Sequence, residues 1–219
     1  MSFFMNGGLN FFDAILYINL DHREDRKLYL LNELERLGVA KEKIHRISAV
    51  HDPLNGHRGC AQSHANAVEY AIGQGFKTTL ILEDDFVCTK SPSEINTLIT
   101  HFTKVVENSW DVFLIGGNIQ KFEKTTYPNV NRALNSLCAH AYVINNHYLP
   151  LLKTLFLYCV SQMENELFFR DSIPHAIDQM WNYLMIKDKW YFVEIFGQQN
   201  ASFSDINHAV RDRRHQEAF

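Results

Sequence analysis

The sequence predicts an α/β fold with a mostly parallel central sheet, and three observations point to it. Short apolar runs alternate with amphipathic stretches, the order of strands that are each followed by a covering helix. Residues 14–18 are apolar without interruption, as in a strand covered on both faces. Two of the predicted strands run directly into polar clusters, Asn19-Leu20-Asp21 and Glu83-Asp84-Asp85. Open α/β sheets gather their ligands at such strand ends.

Taken in order, residues 14–18 form the first strand. A helix over residues 24–37 follows, with Leu28, Leu31 and Leu34 as its inner stripe and Gly38 as its stop. Residues 44–50 form a short second strand. Residues 59–74 read as a helix with a small inner face of Cys60, Ala67 and Ala71, with His64 on the same line and Gly75 at its end. Residues 78–82 form the third strand. Ser91-Pro92-Ser93-Glu94 opens the next helix, with Ser91 as cap, Pro92 in the first turn and Glu94 at the capping-box position. Residues 110–115 form a fourth strand ending in Gly116-Gly117-Asn118. Residues 119–135 are polar and irregular, an expected site loop. Residues 137–144 form another strand, residues 148–160 and 175–186 two helices, and residues 190–195 a last strand. A polar tail from about residue 207 completes a single predicted domain over residues 1–219.

Composition narrows the function classes. The chain has 219 residues, 46% hydrophobic and 13% aromatic, enough for one substantial core and unlike a disordered or coiled-coil chain. A net charge of −4 leaves no basic field for a nucleic-acid backbone. The basic residues Arg211, Arg213 and Arg214 read as a solvated tail. The four cysteines, Cys60, Cys88, Cys138 and Cys159, form no CxxC pair and fit reduced thiols in a cytoplasm. The N-terminus lacks the pattern of a signal peptide, and residues 148–160 are too short and interrupted to span a bilayer. Peripheral contact with a membrane stays open.

Four constellations carry candidate chemistry. Glu83-Asp84-Asp85 crowds three carboxylates at a strand end, which favours a hard divalent cation; the alternative is an exposed acidic turn. Gly59-Cys60-Ala61-Gln62-Ser63-His64 is a small-residue helix start where a ligand can approach, or where His64 is a satisfied core histidine. Asn19-Leu20-Asp21-His22-Arg23, with Arg26 one turn on, places arginines for a phosphate or simply starts a helix capped by Asp21. Asp178 lies between Ile177 and Met180-Trp181, where a partly buried carboxylate is either a general base or a salt-bridged helix acid.

These segments, in this order, resemble glycosyltransferase family 25, which holds lipopolysaccharide and lipooligosaccharide sugar transferases and collagen hydroxylysine galactosyltransferases. The resemblance is carried by Ile18-Asn19-Leu20-Asp21-His22-Arg23-Glu24-Asp25-Arg26, Arg46-Ile47-Ser48-Ala49-Val50, Gly59-Cys60-Ala61-Gln62-Ser63-His64, Leu80-Ile81-Leu82-Glu83-Asp84-Asp85-Phe86, Trp110-Asp111-Val112-Phe113-Leu114-Ile115-Gly116-Gly117 and Ala139-His140-Ala141-Tyr142-Val143-Ile144. Ser204-Asp205-Ile206 adds to it. It implies a GT-A type nucleotide-sugar-binding α/β sandwich and an inverting hexosyltransferase. The donor would be UDP-galactose or UDP-glucose, the cofactor Mn²⁺ or Mg²⁺, and the acceptor a glycan or hydroxylysine. By position it places Asn19, Leu20, Arg23, Arg26, Ser48, Ala49, Ser63, His64 and Asp84 in the donor site. Glu83, Asp85 and His208 would bind the metal, and Asp178 would be the base. Arg58 departs from the pattern, standing where the family carries an acid before Gly-Cys. Two rivals remain: a UDP-sugar-binding protein that keeps the fold without turnover, and a metal-dependent phosphohydrolase using the same acids.

Overall fold

The computed structural model describes residues 7–106, 109–164, 172–199, 202–204 and 209–211. Its centre is a seven-stranded sheet in the order β2-β1-β3-β6-β5-β7-β4. The strands are β1 (Ala14–Asn19), β2 (Ile44–Ser48), β3 (Thr78–Glu83), β4 (Phe86–Cys88), β5 (Val112–Lys124), β6 (Val130–Asn145) and β7 (Trp190–Gln199). The pairings make β1, β2, β3, β5 and β7 run one way, while β6 and β4 run the other. The sheet is therefore mostly parallel, as the apolar runs predict. The described helices are α1 (Glu24–Arg36), α2 (Gly56–Gln74), α3 (Pro92–Val106), α4 (Leu149–Gln162) and the single turns α5 (Ile177–Met180) and α6 (Asn182–Met185).

Strand alternation sorts the core into two layers. On one face Leu16, Ile18, Ile81 and Tyr142 pack with Ala61, Ala65 and Val68 of α2 and Leu152 and Phe156 of α4. On the other Ile15, Tyr17, Leu80 and Leu82 pack with Leu30 and Leu34 of α1 and Ile99 and Phe102 of α3. The Phe102 ring stacks on Phe113 at 3.9 Å and meets Trp110 edge-on at 4.9 Å. Within α1 the inner stripe is Leu30 and Leu34, with Leu37 just beyond its end, and Leu28 is exposed. The expected stripe is rotated, because α1 packs on the sheet through the face that carries Leu30 and Leu34.

The local signals at α3 hold. The Ser91 N–H donates to Glu94 Oε2 at 2.9 Å, and the Glu94 N–H donates to Ser91 Oγ at 3.4 Å. Gly75, at φ 70°, closes α2 in the left-handed region.

Four expectations are corrected. Residues 119–135 are not an irregular loop: β5 and β6 continue as a long antiparallel hairpin whose pairing extends to Lys124 and Asn131. The ladder breaks register between Leu114 and Gly116 and again by Asn118, so the hairpin bends away beside the strand ends. The α2 helix starts three residues before Gly59 and is capped by Asn55, whose side chain accepts from the Arg58 N–H at 3.2 Å. The stretch 175–186 is not one helix but two single turns after a 3₁₀ turn. The tail is not wholly irregular, since β8 (Ser202–Ser204) pairs antiparallel with β9 (Ala209–Arg211). No helix among the described residues is long and apolar enough to cross a membrane.

Candidate functional site

The parallel strands β1 and β3 pair side by side, with Ile18 opposite Glu83. Their C-terminal ends thus deliver Asn19 and the acidic triplet to one place. The strand ends at Glu83, and the turn after it parts the acids. Leu80 and Leu82 face α1 and α3, and Ile81 faces α2. Glu83 continues the α2 side, while Asp84 turns to α1.

On the α1 side the polar groups pair mainly with one another. Asp84 is 6% exposed, and Asn19 is 1% exposed. The Asn19 side-chain amide donates to Asp84 Oδ2 at 2.8 Å and to the Arg23 carbonyl at 3.0 Å. Its Oδ1 accepts from Arg46 Nε at 3.1 Å. Arg26 Nη1 donates to Asp84 Oδ1 at 2.9 Å and lies 3.6 Å from Asp85 Oδ2. Burial raises the Asp84 carboxyl from its ordinary value, against the Arg26 charge and the Asn19 hydrogen bond. Asp84 thus acts as an internal brace for Asn19 and Arg26.

On the α2 side His64, 1% exposed, is held at both ring nitrogens. Nδ1 lies 2.7 Å from the Tyr142 hydroxyl and Nε2 lies 3.3 Å from Glu83 Oε1. One helical turn earlier stands Cys60. Its thiol is pushed well up by burial, then by the negative charges of Glu83, Asp178 and Asp85. Asp178, from a segment about a hundred residues away by numbering, thus belongs to the electrostatic surroundings of Cys60. The Asp178 Oδ2 accepts the Cys138 N–H at 2.9 Å. Cys138 sits in the left-handed region at φ 67°, which aims that N–H at the carboxylate. Asn182 Oδ1 accepts the Ser136 N–H at 2.9 Å and Trp181 Nε1 donates to the Ser136 carbonyl at 2.9 Å. The short helical turns therefore clamp the bent part of β6. Gly116 makes room opposite, since a Cβ there would stand 2.4 Å from His140 Nε2.

The other expected site residues pair near the ends of β1 and β2 and the start of α2. Ser48 Oγ donates to Asp21 Oδ1 at 2.9 Å, and Arg46 Nη2 donates to the same oxygen at 2.6 Å. Asp21 is therefore a partner of β2, and the residue that precedes α1 is Arg23. The Leu20 carbonyl accepts the Arg23 N–H at 2.9 Å, and the Ala49 N–H donates to the Asn19 carbonyl at 3.0 Å. Arg23 holds Asp25 with its guanidinium at 2.9 Å. Ser63 Oγ accepts the Val50 N–H at 2.8 Å and donates to the Gly59 carbonyl at 2.7 Å, tying the loop after β2 to α2. Arg58 pairs with Asp52 at 2.6 Å, closing that loop from the other side. His208 lies outside the described residues.

As a donor set, Glu83 and Asp85 offer the carboxylate oxygens that a hard divalent ion takes. The described residues contain one group of three metal-ligating side chains whose ligand atoms all lie within 4.8 Å: Cys60, His64 and Glu83. Sequence reasoning treated Cys60 only as a small helix residue and missed Tyr142 and Cys138. The i, i+4 spacing of Cys60 and His64 was the available signal for the first. The backbone conformation of Cys138 has none.

No family model matches the chain, and no curated protein matches it. Solved structures do. A197 from STIV is 10% identical, with 86% of each chain covered and a TM-score of 0.50. A mannose-1-phosphate geranyltransferase from Thermus thermophilus is 10% identical over 84% of this chain and 74% of its own, with a TM-score of 0.49. A glycosyltransferase involved in the glycosylation of the major capsid of PBCV-1 is 10% identical over 82% and 91%, with a TM-score of 0.42. At such identity the likeness is one of fold alone, and the chain is an α/β protein with a mostly parallel central sheet.

Proposed function

We propose that the chain is an inverting glycosyltransferase, similar to family 25, which moves galactose or glucose from UDP to a hydroxyl of a glycan or of hydroxylysine. The observation that carries this is the placement of Glu83 at the C-terminal end of β3 beside β1, with Asp84 and Asp85 in the turn that follows and Asp178 fixed by the Cys138 N–H of β6. Carboxylates brought together from separate segments at a strand end serve a charged ligand better than they serve stability.

Glu83 and Asp85 are the oxygen donors that would hold Mn²⁺ or Mg²⁺, which when bound neutralises charge on the departing diphosphate. Arg23 and Arg26 add positive charge on the β1 side, and the Asp84 brace fixes where Arg26 stands. Asp178 takes the proton from the acceptor hydroxyl. The acceptor oxygen then bonds to the sugar C1 as the bond from C1 to the diphosphate oxygen breaks. UDP leaves with that electron pair and the anomeric centre inverts. The Cys138 N–H keeps Asp178 in one orientation through the exchange.

The test is calorimetry of UDP binding with and without Mn²⁺, on the wild type and Asp85→Ala, followed by product analysis with UDP-hexoses. Metal-dependent binding lost in Asp85→Ala, with a glycosylated acceptor formed by the wild type, is the expected result. Binding indifferent to both metal and substitution makes the acidic turn structural. Metal-dependent binding without product favours a non-catalytic UDP-sugar-binding protein, and release of free phosphate favours a hydrolase.

A further inference from the structure

The acidic strand end is not the only metal-ligating feature in this region. Cys60 and His64 are one helical turn apart on α2, so their side chains project from the same face. Glu83 meets them from β3. The three ligand atoms lie within 4.8 Å of one another, and the His64 Nε2 to Glu83 Oε1 distance is already 3.3 Å. Ligand atoms around a tetrahedral zinc ion stand roughly 3.3 to 3.7 Å apart, given bond lengths near 2.0 to 2.3 Å. The His64–Glu83 pair already has that spacing, and the Cys60 thiol lies within 4.8 Å of both.

The surroundings suit a bound cation. The Tyr142 hydroxyl at 2.7 Å from Nδ1 fixes the imidazole ring, as an outer partner does for a metal-bound histidine. The Phe156 ring meets the imidazole edge-on at 5.9 Å and walls the group with apolar surface. The charges of Asp85 and Asp178 reach Cys60 as well, so a divalent ion there relieves a concentration of negative charge.

We propose that Cys60, His64 and Glu83 form a zinc site with three protein ligands and a fourth position for water or a substrate oxygen. A thiolate, an imidazole and a single carboxylate select a borderline-soft ion over Mg²⁺ or Mn²⁺. On binding, the metal displaces the thiol proton to solvent, and Nε2 gives its lone pair to the ion while Nδ1–H donates to Tyr142. Because Glu83 belongs to both groups, zinc at this site withdraws it from the hard-cation site it would share with Asp85. The zinc site itself does not depend on the transferase reading.

The experiment titrates reduced, metal-free protein with Co²⁺ in the absence of nucleotide. The expected result is a near-ultraviolet thiolate-to-cobalt charge-transfer band with tetrahedral visible bands. Zn²⁺ abolishes the signal at one equivalent, and excess Mg²⁺ leaves it unchanged. Cys60→Ser removes the charge-transfer band and weakens zinc binding by about tenfold or more, and His64→Ala weakens it similarly. Cys88→Ser keeps both. Cys60→Ala, checked for native circular dichroism, guards against a fold defect in the serine variant. Absence of the band in the wild type overturns the proposal, as does a band that survives Cys60→Ser. Failure of UDP to bind in the calorimetry above leaves this result untouched, so the two readings fail separately.

Discussion

The two sides of the acidic turn differ in how they treat the same chemistry. Toward α1, Asp84 gives one oxygen to Asn19 and the other to Arg26, and Asn19 completes its set with Arg23 and Arg46. Toward α2, Glu83, Asp85 and Asp178 crowd one thiol with like charge. The first arrangement is closed, with each buried charge compensated where it stands. The second sets Glu83 against the His64 ring at 3.3 Å beside the Cys60 thiol. Neighbours in sequence differ because Glu83 is the last residue of β3, while Asp84 lies in the turn that follows it. Of the acidic triplet, Asp84 is thus an anchor on the α1 side, while Glu83 faces Cys60 and His64.

The contrast can be broken in order of expected effect. Asp178→Asn is expected to slow transfer by about 10²- to 10⁴-fold, with UDP binding by calorimetry unchanged; near wild-type turnover would remove Asp178 from the base role. Asp84→Ala is expected to cost about 3 to 5 kcal/mol in urea denaturation, because it strands the Arg26 charge and the Asn19 amide in a buried place. Glu83→Gln should stay within about 1 kcal/mol of the wild type, since it relieves repulsion while keeping shape. Equal losses in Asp84→Ala and Glu83→Gln would mean that the two sides are not distinct.

Smaller effects sharpen the same division. Gly116→Ala is expected to cost about 1 to 3 kcal/mol, since its methyl group would press on His140. Cys138→Gly should raise stability by up to about 1 kcal/mol by removing a left-handed side chain, as a rise in melting temperature. The smallest is a pH effect at the rim. The Arg23 hydrogen bond holds the exposed Asp25 down to about 2 from 3.8. The unfolded chain therefore binds that proton first, so the stabilisation is complete above about pH 4 and disappears as pH falls through the folded value. The stability difference between wild type and Asp25→Asn should shrink to nothing over that interval.

What could be read in advance follows physical scale. The β1 run, the capping box of α3 and the strand-end position of the acids rest on local pattern, and the chain displays them. The β5–β6 hairpin could not be read, because β5 beyond Gly116 is increasingly exposed and polar. Such a segment is held in a strand by its partner's ladder and carries little preference of its own. The α1 stripe was displaced for a related reason: periodicity gives a helix a greasy face, but the sheet decides which flank is buried. At the site, the carboxylates were legible as residue types in a telling place. The division of labour between Glu83 and Asp84 required strand register, and the aim of Asp178 required a backbone angle at Cys138.

The long β6 strand has a consequence for synthesis. It pairs with β3, and through β5 and β7 it joins the C-terminal half of the sheet to the N-terminal half. As the chain leaves the ribosome, β1, β2 and β3 can assemble with α1 and α2 while one flank of β3 still has its ladder groups bare. That flank stays open until Asn145 has emerged, some sixty residues after Glu83 by numbering, which at roughly 5 to 20 residues per second is several seconds. A nascent chain halted in that interval presents an unsatisfied strand edge. Chaperone engagement, or premature association between nascent chains, should therefore concentrate in that window and end when β6 docks.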